Sequence, residues 1–152
     1  ICDEAVSALD VSIQAQIITL LKELQAEFGM SMLFISHDLS VVRDISNRIM
    51  VLYLGRMVEL SDATAICTNP QHPYTQALIS AVPIPDPVAE RARQRLNLPG
   101  DLPSPLDPKA ALRFLPSKLT DGADTYVPQV TEVAPGHFVA EHDPLDVIMA
   151  NA

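Results

Sequence analysis

All 13 prolines of this 152-residue chain lie at or after Pro70, and none precedes it. Because proline fixes one backbone angle and has no N–H donor, it interrupts helices and central strands. Regular packed structure should therefore dominate the first part of the chain, and turns, caps and extended segments the second. The stretch from Pro83 to Pro87 should be extended, because proline forces the residue before it towards extended angles.

The first part of the chain carries one long amphipathic pattern. Apolar residues recur at three- and four-residue spacings over residues 11–28, which predicts a helix. Asp10 stands where an N-cap is wanted, and Gly29 where a left-handed residue ends a helix. The predicted inward face consists of Ile13, Ile17, Leu20, Leu21, Leu24 and Phe28.

The segments that follow alternate between strand and helix patterns. Continuous apolar runs predict a buried strand over residues 30–36 and a further strand over residues 49–54. Between them a short helix should run through Asn47, with either Asp38 or Ser40 as its cap. Strand, helix, strand, helix and strand in succession predict an α/β fold with a parallel sheet and covering helices.

The remaining predicted elements are shorter. Gly55 and Arg56 predict a tight turn into a strand over residues 57–60, which forms a hairpin with the strand before it. Short helices are expected over residues 62–67 and from Pro73 to Val82, since proline suits the first helical position. Two more strands are expected, at Val130 to Val133 and at His137 to Ala140.

The composition argues against several classes of protein. With 19 Asp and Glu against 10 Lys and Arg, the net charge is -9, and nucleic-acid phosphates would need clustered basic residues. No apolar run reaches the ~20 residues of a membrane-spanning helix. Cys2 and Cys67 stand far apart, which fits reduced thiols better than a disulfide framework. We interpret the start at Ile1, inside a predicted strand end, as the mark of a fragment.

The first chemical motif is a pair of adjacent carboxylates, Asp3 and Glu4, at the predicted carboxyl end of a strand. Open α/β sheets bind ligands at that edge. Neighbouring strand residues point to opposite sides, so one carboxylate can hold hydrated Mg²⁺ while the other polarises an attacking water. Taken alone, such a pair is most often solvated surface.

The second motif is His37, which follows the next predicted strand in the run Ser36, His37 and Asp38. The imidazole should emerge at the same edge of the sheet as the two carboxylates. A histidine there can hydrogen-bond a phosphate oxygen, although a lone histidine is more often structural.

In order along the chain, these motifs resemble the second half of an ABC-transporter nucleotide-binding domain. The resemblance implies that Asp3 ends the Walker B strand and contacts Mg²⁺, that Glu4 is the catalytic base, and that His37 is the switch histidine. It also implies that Ser7, Ala8, Leu9 and Asp10 form the D-loop, which touches a partner domain. Ala5 departs from the family pattern, in which proline commonly follows the acidic pair.

Later segments resemble the oligopeptide and dipeptide import branch of that family. They are residues 53–59, the Asn-Pro-Gln-His-Pro-Tyr-Thr run over residues 69–75, and residues 81–87, 98–105 and 134–139. Relatives that import nickel or other small solutes share this pattern, so they stay open as an alternative. Physically, His72 and Tyr74 are expected to pack and cap rather than to bind a ligand.

The resemblance implies a complete functional setting. Residues 1–68 would be a partial ABC nucleotide-binding domain of the P-loop NTPase class, and residues 69–152 a small proline-rich extension. The cofactors would be ATP and Mg²⁺. The partners would be a second nucleotide-binding subunit, membrane permease subunits and, indirectly, an external solute-binding protein, with no nucleic acid. The location would be the cytoplasmic face of the bacterial inner membrane.

The extension contains two sets of positions that bear on metal binding. Many relatives carry cluster-ligating cysteines where this chain has Leu112, Lys118 and Glu141, so no iron–sulfur cluster is expected here. His137, Glu141 and His142 contain suitable ligand atoms, but their spacing is too loose to predict a site.

A phosphate-binding P-loop and a Leu-Ser-Gly-Gly-Gln-type signature are both missing from the printed sequence. Glu4 and His37 would therefore have no nucleotide to act on, and we expect the fragment alone to be inactive. The alternative is a truncated, non-catalytic remnant that at most docks on a partner. A soluble ABC ATPase of repair or translation fits residues 69–87 poorly.

Overall fold

The computed structural model describes residues 1–83, 86–92, 95–100, 103–119 and 126–150. It divides the chain into two compact units, Ile1–Asn47 and Arg48–Ala152. Both helices and strands are present, so the broad α/β class is confirmed. The predicted functional division at residue 68 concerns family motifs and stays a prediction.

The first unit contains two strands and two helices in alternation. Strand β1 (Cys2–Asp3) pairs in parallel with β2 (Phe34–Ile35), with Cys2 opposite Phe34 and Asp3 opposite Ile35. Helix α1 (Val11–Phe28) joins them, and helix α2 (Leu39–Ile45) follows β2.

Both helices begin where an aspartate caps them. Asp10 accepts hydrogen bonds from the backbone N–H groups of Ser12 and Ile13, each at 3.0 Å, and α1 ends at Gly29 with φ 61°. For α2, Asp38 accepts from Ser40 at 2.8 Å, which decides between the two predicted caps. The bounds and caps of α1 are confirmed, whereas α2 ends two residues before Asn47.

The predicted inward face of α1 is only partly correct. The first unit's core consists of Val6, Ile18 and Val41, with Ile17, Phe34 and Ile45 packed against it. Ile13, Leu20 and Phe28 are exposed, because α1 rests on the stripe that passes through Ile17 and Ile18. The sequence periodicity predicted the helix correctly, but the face of the helix that is buried differs from the predicted face.

The predicted buried strand over residues 30–36 is also corrected. Only Phe34–Ile35 form β2, and Leu33 and Ile35 are 52% and 45% exposed. Among the described residues β2 pairs with β1 alone, so this apolar run is not flanked by strands on both sides as a buried central strand is.

The second unit is built on an antiparallel sheet with the strand order β3-β4-β6-β5. The four strands are β3 (Arg48–Tyr53), β4 (Arg56–Asp62), β5 (Val130–Ala134) and β6 (His137–Ala140). The expectation that β3 continues a parallel sheet is therefore wrong. Its pairing with β4 is a local hairpin, which short-range contacts favour over a crossover connection.

The β3–β4 turn has the geometry that such a hairpin needs. Leu54 and Gly55 have φ values of 47° and 77°, both in the left-handed region. Turns with positive φ at both central residues match the twist of the flanking strands. The predicted hairpin is confirmed, but its turn is formed by Leu54 and Gly55 rather than by Gly55 and Arg56. Strand β4 starts one residue earlier and ends two residues later than the predicted range 57–60.

The second unit also contains several short helices. They are α3 (Ala63–Thr68), α4 (Pro73–Ala81), α5 (Pro87–Ala92), α6 (Leu145–Ala150) and the 3₁₀ segments Pro108–Leu112 and Pro116–Lys118. The predicted extended stretch from Pro83 to Pro87 is wrong at its end, because Pro87 opens α5. Proline is compatible with the first helical position, where its missing N–H has no helical partner. Ile84 and Pro85 lie outside the described residues.

Candidate active site

The two predicted chemical motifs meet at the carboxyl ends of the parallel strands. The ladder extends past β1, since the backbone N–H of Glu4 donates to the carbonyl of Ile35 at 2.9 Å. His37 lies two residues beyond Ile35. Its Nδ1 is 3.0 Å from Oε1 of Glu4, within hydrogen-bond distance. The shared edge expected from the sequence is therefore present.

The backbone at Glu4 adopts an unusual conformation. Its φ is 46°, which non-glycine residues rarely adopt. The next turn is closed by two donors from Ser7, whose hydroxyl and backbone N–H reach the carbonyl of Glu4 at 2.9 and 3.2 Å. The chain thus turns sharply where the Glu4 side chain leaves the strand.

The carboxylate of Glu4 perturbs the imidazole. A side-chain hydrogen bond to Glu4, followed by the attraction of its charge, raises the pKa of His37 above its usual value of 6.5; the nearby charge of Asp38 adds to the effect. Both side chains are exposed, at 71% and 52% of their areas. Solvent and ligands therefore have access to the pair.

Asp3 lies beside this pair and is itself exposed. No hydrogen bond or ion pair joins its carboxylate to any residue that the structure describes. Oxygen ligands with free lone pairs suit Mg²⁺, which keeps several waters and takes one or two carboxylates. A carboxylate without a partner in the described part of the chain, such as that of Asp3, would suit a hydrated magnesium ion.

The four predicted D-loop residues have different environments. Ser7, Ala8 and Leu9 are exposed on the turn that leads into α1, while Val6 before them is buried in the core. The side chain of Asp10 caps α1. This anchoring at both ends presents Ser7 to Leu9 at the surface beside Glu4.

The second unit contains a buried carboxylate that sequence analysis missed. Glu59 on β4 is 0% exposed, and Nε2 of His137 on β6 donates to its Oε1 at 2.7 Å. The backbone N–H groups of Gln71 and His72 also donate to it, at 2.8 and 3.0 Å. Glu59 therefore joins the sheet to the turn before α4. Its strand position after two apolar residues was the only available hint.

His72 and Tyr74 have the packing and capping roles expected of them. Nδ1 of His72 accepts a hydrogen bond from the backbone N–H of Tyr74 at 3.1 Å and so caps α4. Burial, followed by repulsion from His142, lowers the pKa of His72 to about 3. The ring is neutral at physiological pH, with its proton on Nε2.

In the structure, residues of the extension that were candidates for metal binding contact other side chains. Glu141 accepts a hydrogen bond from the hydroxyl of Tyr126, and Nζ of Lys118 lies 3.9 Å from its Oε1. Leu112 is buried against Leu115. Within the described ranges, no group of three or more His, Cys, Asp or Glu side chains is arranged to hold a metal ion.

A known family model matches part of the second unit. Residues 58–116 match the family model for the C-terminal region of oligopeptide/dipeptide transporters. The strands β1 and β2 with their Asp3, Glu4 and His37 precede this matched region.

Curated relatives extend the similarity over most of the chain. The oligopeptide transport ATP-binding protein OppF of Haemophilus influenzae is 50% identical over 142 residues, which cover 92% of this chain and 43% of that protein. OppF of Salmonella typhimurium is 57% identical over 114 residues, covering 75% of this chain and 34% of that protein.

Over most of its length the chain is thus similar to proteins named as ATP-binding components of oligopeptide transport. Part of its second unit matches the model for the C-terminal region of oligopeptide/dipeptide transporters, the branch that the motifs resemble. The chain spans less than half the length of the curated relatives that it matches. No helix in the described part of the chain is long and apolar enough to cross a bilayer.

Proposed function

We propose that this chain is part of the ATP-hydrolysing subunit of an importer for oligopeptides or dipeptides. The observation that carries the proposal is the 3.0 Å approach of His37 Nδ1 to Glu4 Oε1 at the carboxyl ends of two parallel strands. The match of residues 58–116 to the oligopeptide/dipeptide transporter model supports the peptide-import branch. The P-loop NTPase sheet, of which β1 and β2 would be two strands, is part of the same proposal.

In this proposal Glu4 acts as the general base. Its carboxylate is half exposed and can accept a proton from the water that attacks the γ-phosphate of ATP. Mg²⁺, held through water by Asp3, would neutralise phosphate charge during the reaction. His37 orients the Glu4 carboxylate through their hydrogen bond, and its Nε2 is left to contact the γ-phosphate.

The exposed turn Ser7 to Asp10 would touch a second nucleotide-binding subunit, either identical or paralogous. ATP binding would close the two subunits and hydrolysis would reopen them. That motion would drive membrane permease subunits, which receive peptides from an external solute-binding protein. The subunit would lie on the cytoplasmic face of the bacterial inner membrane without entering it.

Residues 1–68 would belong to the nucleotide-binding domain and residues 69–152 to the transporter-specific extension. The printed sequence contains no P-loop, so the segment on its own should neither bind nor hydrolyse ATP. Titration of Mg-ATP into the chain should give no binding heat. Micromolar affinity would contradict this part of the proposal.

The whole proposal is tested in the full-length protein that contains this segment. Reconstituted with its permease and binding protein in proteoliposomes, it should take up labelled oligopeptide only when ATP is present. Uptake of nickel but not of peptide would overturn the substrate assignment. If ATP is not hydrolysed in the presence of any tested solute, the non-catalytic remnant would be favoured.

A further inference from the structure

The second unit encloses a cavity that the proposed ATPase chemistry does not use. Its volume is about 250 Å³, and its lining includes Tyr53, Arg56, Val58, His72, Phe114 and Glu141. It lies between the β3–β4 hairpin and the segments that follow it in the same unit. Its volume is below the roughly 300–1,000 Å³ of drug-sized sites, so it suits a very small ligand.

One wall of the cavity is aromatic and rigidly packed. The rings of Tyr53 and Phe114 meet edge to face with centroids 5.0 Å apart, and His72 meets Phe114 in the same manner at 4.9 Å. His72 is 1% exposed and uncharged, because burial keeps its pKa far below neutrality. Such a wall favours an apolar or aromatic group.

The cavity also carries one charge of each sign. Arg56 is exposed, and its guanidinium forms no ion pair with any residue in the described ranges. Glu141 is held in place by the Tyr126 hydroxyl and lies 3.9 Å from Lys118, yet 31% of its side chain remains exposed. A fixed anion and an available cation thus border one apolar space.

We propose that this cavity binds a small zwitterion, namely an amino acid or dipeptide with an apolar side chain. The ligand carboxylate pairs with Arg56, its ammonium with Glu141, and its side chain packs against Tyr53 and Phe114. Charge complementarity selects the zwitterion, and the cavity volume limits its length. The inference concerns the Arg48–Ala152 unit and does not depend on the proposed ATPase function.

Calorimetric titration of the full chain with L-phenylalanine and with Ala-Phe tests the proposal. At least one should bind with a Kd of about 0.1–1 mM, as expected for a ligand of this size. Phenethylamine and 3-phenylpropionate, which each lack one charge, should bind about fivefold more weakly. Equal binding of all four compounds, or of none, would overturn the assignment.

Substitution of the free cation provides the second test. Arg56→Gln should weaken binding of the zwitterion about fivefold and leave phenethylamine binding unchanged. The matched control is Arg48→Gln. Arg48 is an exposed arginine at the start of β3 and does not line the cavity. Undiminished zwitterion binding by Arg56→Gln would contradict the proposed orientation.

Discussion

Nε2 of His137 lies 2.7 Å from Oε1 of Glu59, and both side chains are buried within the second unit. The two residues are 78 positions apart in sequence. The same carboxylate accepts backbone hydrogen bonds from Gln71 and His72, so one side chain holds together β4, β6 and the start of α4. A buried charge of this kind is tolerated only while its partners remain in place.

Removing that carboxylate should destabilise the second unit. Glu59→Leu leaves two backbone donors and an imidazole without an acceptor, and we expect a loss of about 3–5 kcal/mol in the free energy of unfolding. Urea unfolding followed by circular dichroism measures it. Glu27→Gln, at an exposed position on α1, serves as the control and should change stability by less than about 0.5 kcal/mol. A similarly small effect of Glu59→Leu would contradict the structural role of the pair.

His72 should make the free energy of unfolding depend on pH in the acid range. Its pKa is about 3 in the folded chain and about 6.5 when unfolded, so the unfolded state binds more protons between these values. Stability is therefore present above pH 6.5 and lost as pH falls towards 3, by about 3 kcal/mol between pH 7 and pH 4. His72→Asn keeps an N-cap acceptor without the titration, and its stability should fall less steeply over that range. Identical slopes would show that His72 is not the group responsible.

The Glu4–His37 contact predicts an opposite shift. The pKa of His37 should exceed 6.5 and return towards that value in Glu4→Gln, because Glu4 is the main cause. Asp38→Asn, which retains a capping oxygen for α2, removes only the weakest of these influences and should lower the pKa of His37 less. Nuclear magnetic resonance titration of the imidazole measures the pKa of His37 in the unaltered chain and in the two variants. The stability from this pair is fully present below pH 6.5 and is lost as pH rises through the folded pKa.

No iron–sulfur cluster should form in the extension. The printed sequence has no cysteine after Cys67, and Leu112, Lys118 and Glu141 stand where the family resemblance would lead us to expect cluster cysteines. Protein produced and purified without oxygen should contain neither stoichiometric iron nor acid-labile sulfide. Finding both in equal amounts would refute this prediction.

Local features of the fold could be predicted because short-range chemistry determines them. Asp10 and Gly29 bound α1, Gly55 lies in the hairpin turn, and His72 caps α4. Each depends on residues within about four positions of one another, where propensity and capping rules apply. The meeting of Glu4 with His37 was also predictable, since parallel strands share their carboxyl edge.

Long-range pairing was not accessible in the same way. Nothing local to residues 137–140 indicates that β6 pairs with β4, or that His137 would meet Glu59. The buried face of α1 likewise depends on which neighbours cover it, and Ile18 was missed for that reason. A lone glutamate in an apolar strand is ordinarily taken as exposed, because burial of a carboxylate needs partners that only the folded chain brings together.

The central assignment proposed for this chain is Glu4 as the base for ATP hydrolysis. In the full-length protein, steady-state turnover and nucleotide affinity should be measured for Glu4→Gln beside Glu23→Gln, an exposed glutamate on α1. We expect Glu4→Gln to bind ATP normally and to lose at least about 100-fold in kcat, with the control unchanged. Hydrolysis by Glu4→Gln at the rate of the unaltered protein would contradict the account.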